Sequence, residues 1–146
     1  MNKPINSRHS FRWQPLATAL GVMFFVSGVA CATDVSVSLS GAQEVPPVQT
    51  TASGSGTITI NADKTVSGKV MTKGITATAA HIHDGAMGQN GPVAVPLAKG
   101  GEGEWSVPAG AKLTDAQYAA FQKGDLYVNV HSAAHPNGEI RAQLKP

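Results

Sequence analysis

One cysteine stands in the 146 residues, Cys31, and it closes an N-terminal leader. Downstream of it, a disulfide framework, a thiolate metal site and a cysteine nucleophile are all excluded. Charge is sparse as well, with Asp, Glu, Lys and Arg making up 14% of the chain. The lysines and arginines are scattered rather than clustered, so nucleic acid is not expected as a partner. Aromatic residues are 5% of the chain, which leaves a core to be built from Val, Ile, Leu and Ala. Past the leader no apolar run is long enough to predict a membrane span. No Gly-x-Ser-x-Gly elbow and no Walker-type or dinucleotide glycine motif occurs, and enzymatic activity is not expected.

The leader has the pattern of an export signal. Lys3, Arg8 and Arg12 form a basic start, and Leu16 to Ala30 form an uncharged apolar stretch of signal-peptide rather than membrane-span length. Ala30-Cys31-Ala32 reads as an A-x-A cleavage site, predicting a signal peptide over 1–32, one domain over 33–146, and a periplasmic or secreted home. The alternative makes Cys31 the lipidated first residue of an anchored lipoprotein, although Gly28 stands where that motif usually has Leu. Three of the eleven basic residues and none of the nine acidic ones lie in the leader, so the formal charge of +2 becomes about −1 for the domain.

The rest reads as short strands between turn signals. Val35, Val37 and Leu39 alternate with serines, and Gly41 to Ser55 is a polar connection around Glu44-Val45-Pro46-Pro47. Thr57 to Ile60 and Thr65 to Thr72 flank a turn at Asn61 to Lys64. Further strands are expected at Thr78 to His83, Val93 to Leu97, Glu102 to Val107, Asp125 to His131 and Gly138 to Leu144. The loop Asp84 to Pro92 carries three glycines. A single helix is predicted from an N-cap at Thr114 to Gly124. Leu126, Val128 and Val130 share one side of their strand, and Tyr127, Asn129 and His131 share the other. Ile140, Ala142 and Leu144 likewise oppose Glu139, Arg141 and Gln143. The pattern predicts an all-β domain, an Ig-like or Greek-key β-sandwich or barrel of about seven to nine short strands with one short helix.

Four of the five histidines lie beyond the leader, in two pairs: His81/His83 and His131/His135. Alternation along a strand puts His81 and His83 on one face. If the second pair comes from a neighbouring strand, three or four imidazoles converge, a donor set suited to a copper ion or, alternatively, a zinc ion. His81, His83 and His131 are the leading ligands, and His135, at a hairpin tip, is the weakest candidate. Met87 is a lesser soft donor. Asp84, Asn129 and Glu139 are expected to accept imidazole N–H groups, Glu139 and Arg141 to pair with each other, and Glu44 to stiffen a connection or, if near the histidines, to ligate.

Four stretches resemble the CHRD domain, a family named for its occurrence in chordin: Leu39 to Val48 (LSGAQEVPPV), Ala80 to Val93 (AHIHDGAMGQNGPV), Leu126 to His131 (LYVNVH) and His135 to Leu144 (HPNGEIRAQL). The resemblance implies an Ig-like or Greek-key β fold and an extracytoplasmic home. Ser132 departs from the family's Thr, and Ala142 from its Gly. The histidine pattern alone is also similar to the copper site of Cu/Zn superoxide dismutase, where a His-x-His strand and a later strand histidine meet on one copper. A bridging histidine, a zinc loop and disulfide cysteines are missing here, so dismutase activity is not implied. These readings together predict an exported metal-binding protein acting in metal binding, storage or tolerance. The alternative is an extracellular interaction module with structural histidines and an exported protein partner.

Overall fold

The computed structural model describes residues 31–146; the signal peptide expected over 1–32 lies almost wholly outside them. The elements in chain order are β1 (Ala32–Ser40), β2 (Ser53–Asn61), β3 (Val66–Lys73), β4 (Ala77–Asp84), β5 (Val93–Pro96), β6 (Ala98–Lys99), β7 (Glu104–Ser106), α1 (Asp115–Lys123), β8 (Leu126–Ser132) and β9 (Ile140–Leu144). All strands pair antiparallel in one sheet of nine, ordered β5-β4-β8-β9-β1-β2-β3-β7-β6.

The two edges of that sheet are one piece of chain. Val93 to Pro96 pairs with β4, the Leu97 N–H still reaches the Ala80 carbonyl at 2.9 Å, and Ala98 and Lys99 then pair with β7. A single extended run therefore bridges the first strand of the sheet to the last, and the sheet curls into a nearly closed barrel. Closure leaves few free backbone groups for edge-to-edge aggregation.

Alternation fills the interior. Val35, Val37 and Leu39 point inward from β1 while its serines face out. They join Ile58, Ile60, Val70, Ile82, Leu126, Val128, Val130, Ile140 and Leu144 in one apolar cluster. Burying each such side chain contributes about 1.5–3 kcal/mol. The β2–β3 turn closes where the Lys64 N–H meets the Asn61 carbonyl at 2.8 Å and Asp63 Oδ1 accepts from the Thr65 N–H at 3.0 Å. Thr114 caps α1 as expected: its hydroxyl accepts from the Gln117 N–H at 3.2 Å, and Gln117 Oε1 accepts from the Thr114 N–H at 2.9 Å. Phe121 anchors that helix in the core. Among the described residues no helix is long and apolar enough to cross a membrane.

In β8 the outward-facing side chains are covered as well: all seven residues are buried. A polar cluster lies there under the 84–92 loop, the segment around Glu44 and the turn before β9.

Candidate metal centre

Register brings the histidines together. His81 of β4 stands directly opposite Asn129 of β8, His83 opposite Tyr127, and Ala79 opposite His131. All these side chains project to the outside of the barrel, so His131 is diagonal to His81. One ring nitrogen from each of His81, His83 and His131 falls within 4.8 Å of the others. Metal–imidazole bonds of about 2.0–2.1 Å separate two ligating nitrogens by roughly 3–4 Å, so a small side-chain adjustment converges the set.

Backbone carbonyls orient two of the rings. His83 Nδ1 meets the Gly91 carbonyl at 2.9 Å, and His131 Nδ1 meets the Pro136 carbonyl at 2.9 Å. A carbonyl only accepts, so both rings carry their proton on Nδ1 and present a bare Nε2 lone pair. His81 Nδ1 lies 3.0 Å from His131 Nε2, so in the neutral state His81 donates there and keeps its own Nε2 bare. The Nε2 of His83 is buried and makes no well-formed hydrogen bond. An unsatisfied lone pair at such depth costs about 1–3 kcal/mol, and an electrophile would relieve it.

Burial pushes all three imidazole pKa values below the usual histidine range. Neighbouring imidazoles lower those of His81 and His83 further, while the carbonyl bonds at Gly91 and Pro136 pull the other way for His83 and His131. The cluster therefore stays neutral, the form that ligates metal, to lower pH than a free histidine.

Behind His83 stands a stack. Its ring lies parallel to Tyr127, centroids 4.9 Å apart and planes 4° from coplanar, and the Arg141 guanidinium carbon sits 3.4 Å from the Tyr127 centroid. Arg141 is 1% exposed. It donates to the carbonyls of Ala86 and Gln89 and to the side chains of Asn90 and Gln143, and Asn90 in turn donates to the Val45 carbonyl. Arg141 thereby pins the 84–92 loop that supplies the Gly91 carbonyl. The Gly91 N–H donates to the Tyr127 hydroxyl at 3.2 Å, and a Cβ on Gly91 would lie 1.6 Å from the Asp84 carbonyl oxygen, so only glycine fits.

Glu44 is a second unusual group. It is buried, and burial raises its carboxyl pKa to about 7 against the opposing pull of Arg141, the Val45 backbone and Asn129. Neither Glu44 Oε1 nor Asn129 Oδ1 makes a well-formed hydrogen bond. Both side chains pack under Gly138, where a Cβ would come within 2.6 Å of each and φ is +127°.

Two expectations need correcting. The imidazole N–H acceptors are the carbonyls of Gly91 and Pro136, not Asp84 or Glu139. Glu139 does not pair with Arg141: it accepts from Thr50 at 2.7 Å and closely from Ser132. His135 lies outside the three-ring group, half-buried in the turn, with its backbone bonded to Ser132 and Gly138. Met87 is exposed. Glu44 is not among the grouped ligands. Tyr127 and the two carbonyls escaped sequence reasoning: a carbonyl has no residue signature, and Tyr127 reads as an ordinary strand aromatic.

The sequence model of the CHRD domain matches residues 35–144. The chain belongs to the CHRD domain family. Every residue of the cluster, from Glu44 to Gln143, lies within the matched span. No curated protein and no solved structure matches the chain. Both departures from the family pattern are accommodated in this CHRD domain. Ala142 packs into the core opposite Val128, and the Ser132 hydroxyl donates to Glu139 while accepting from the His135 N–H at 3.2 Å.

Proposed function

We propose that this CHRD domain is an exported protein that binds one copper ion, with zinc as the alternative, through His81, His83 and His131, and that it acts in metal binding, storage or tolerance. The observation that supports the reading best is the orientation of the rings. Gly91 and Pro136 hold His83 and His131 with Nε2 deprotonated and near the His81 ring, the His131 lone pair meeting His81 Nδ1 and the His83 lone pair lacking a well-formed hydrogen bond. Outer carbonyls that fix an imidazole tautomer are the usual companions of metal-ligating histidines. His135 takes no part.

Equilibrium dialysis against copper, with and without reductant, and against Zn2+, with metal quantified per chain, tests the reading. One ion per chain is expected, and it is lost in the His81→Ala/His83→Ala double variant. Absence of stoichiometric binding, or binding unchanged in that variant, contradicts it.

A second reading has an observation of its own. The His81–His131 hydrogen bond and the His83–Tyr127 stack also suit a module whose histidines brace the outer face for a protein partner. Thermal unfolding with and without chelator separates the two. Histidine variants that lose the same stability in both conditions favour the bracing role, whereas a loss confined to the metal-loaded protein favours ligation.

A further inference from the structure

Copper is offered to proteins in two charge states, and imidazole donors alone do not choose between them. We infer that the three-histidine site is built for monovalent copper, Cu+, in preference to Cu2+ or Zn2+. The inference rests on the metal-binding reading and specifies its ion.

The donor set is neutral. The group comprises three imidazoles and no carboxylate, and the two buried carboxyls nearby are not among its donors. Glu139 is engaged by Thr50 and Ser132, and Glu44 lies with Asn129 beneath Gly138. No anionic donor in the group offsets the charge of a bound ion. His83 and His131 are each 8% exposed and His81 is half-buried, so that charge would be only partly hydrated. The cost of moving an ion out of water grows with the square of its charge, so for equal radius a dication costs about four times as much as a monocation.

The surroundings add a fixed charge of the same sign. Arg141 lies against Tyr127, and His83 stacks on that ring, so a guanidinium sits one ring away from a ligand. Its field reaches His83, and the buried Glu44 carboxyl acts on Arg141 rather than on the three imidazoles. Like-charge repulsion is twice as large for a dication as for a monocation at the same place. The number of donors points the same way. Zn2+ and Cu2+ would need water to complete four or more ligands here, whereas Cu+ accepts a low coordination number that three nitrogens fill without one.

The purified protein is titrated anaerobically with Cu+ in competition with bicinchoninate, and separately with Cu2+ and Zn2+ in competition with a chromophoric chelator. One Cu+ per chain is expected, bound at least about a hundredfold more tightly than Zn2+, with a Cu2+/Cu+ potential above that of aqueous copper. Asn129→Asp, directly opposite His81 and nearly isosteric, places a carboxylate beside the ion and should move the preference toward Zn2+ by about tenfold or more. Zn2+ or Cu2+ binding more tightly than Cu+, or a folded Asn129→Asp protein with an unchanged ratio, overturns the inference. If Asn129→Asp does not fold, the wild-type competition decides alone. Binding of no metal in any state overturns the metal-binding reading itself, an outcome distinct from a wrong choice of ion.

Discussion

The two faces of β8 are equally buried and differently made. Toward the barrel interior, Leu126, Val128 and Val130 meet apolar partners from several strands. Toward the outside, Tyr127, Asn129 and His131 meet imidazoles, a guanidinium and backbone carbonyls. The inner face gains from area removed from water and tolerates volume-conserving exchange. The outer face depends on particular atoms, and three of them, on Glu44, His83 and Asn129, find no well-formed hydrogen bond. One face holds the barrel together. The other accepts unsatisfied polar groups that a stability-optimised surface would lack, the pattern expected where a site serves a ligand.

Substitutions that separate the faces make the contrast testable. The largest effect on stability belongs to the inner face: Leu126→Ala should cost about 2–5 kcal/mol in denaturant unfolding while the folded fraction still binds one metal per chain. Metal binding lost along with the core contact would mean that the faces are not independent.

Glu44→Gln addresses the outer face through pH. The Glu44 pKa is raised from 4.5 to about 7, so between those values the folded state holds more protons than the unfolded state and stability falls as pH rises. The change amounts to roughly 3 kcal/mol at most across that window. Glu44→Gln should remove this slope and leave the variant more stable than the parent above the window. The histidines act with the opposite sign. Their lowered pKa values make the unfolded state the better proton binder just below pH 6.5, so stability is lost as pH falls through the unfolded value. Stability measured across pH in the metal-free protein should therefore pass through a maximum that Glu44→Gln flattens on the alkaline side. An unchanged profile would contradict the burial of that carboxyl.

Tyr127→Phe keeps the ring and removes the acceptor for the Gly91 N–H. A cost of about 1–2 kcal/mol is expected, with metal affinity reduced by about tenfold because the Gly91 carbonyl that orients His83 is loosened. Retained affinity in isothermal titration would show that the loop does not position the ligand. The smallest effect is expected from His135→Ala, within about 0.5 kcal/mol of the parent and with metal stoichiometry unchanged. Loss of binding there would restore His135 as a ligand.

Alternation carried much of this fold into view from sequence. The inward triplets of β1, β8 and β9, the turn at Asn61 to Lys64 and the capped helix are all local patterns, and local patterns are written in neighbouring residues. The convergence of His81, His83 and His131 was legible for the same reason, since strand period fixes the face. The covering of the outer face was not legible, because it arises from contacts distant in sequence: Arg141 with Ala86 and Gln89, and Asn90 with Val45. Carboxylates at Asp84 and Glu139 attracted attention as imidazole acceptors because residue type is visible in a sequence. The acceptors in place are carbonyls of Gly91 and Pro136, which any residue possesses. Glu139 and Arg141 share a face two residues apart, yet each found closer partners, so alternation gave the side correctly and the pairing wrongly.

Histidine side-chain nitrogen NMR during a titration with diamagnetic Zn2+ or Cu+ bears most directly on the claim that three oriented imidazoles form one metal site. In the metal-free protein His83 and His131 should show the Nδ1-protonated tautomer. One equivalent of metal should then shift the Nε2 signals of both, together with a nitrogen of His81, leaving His135 unmoved and no further change beyond that equivalent. Signals of His81, His83 and His131 that stay in place while metal is added, or shifts confined to His135, would contradict it.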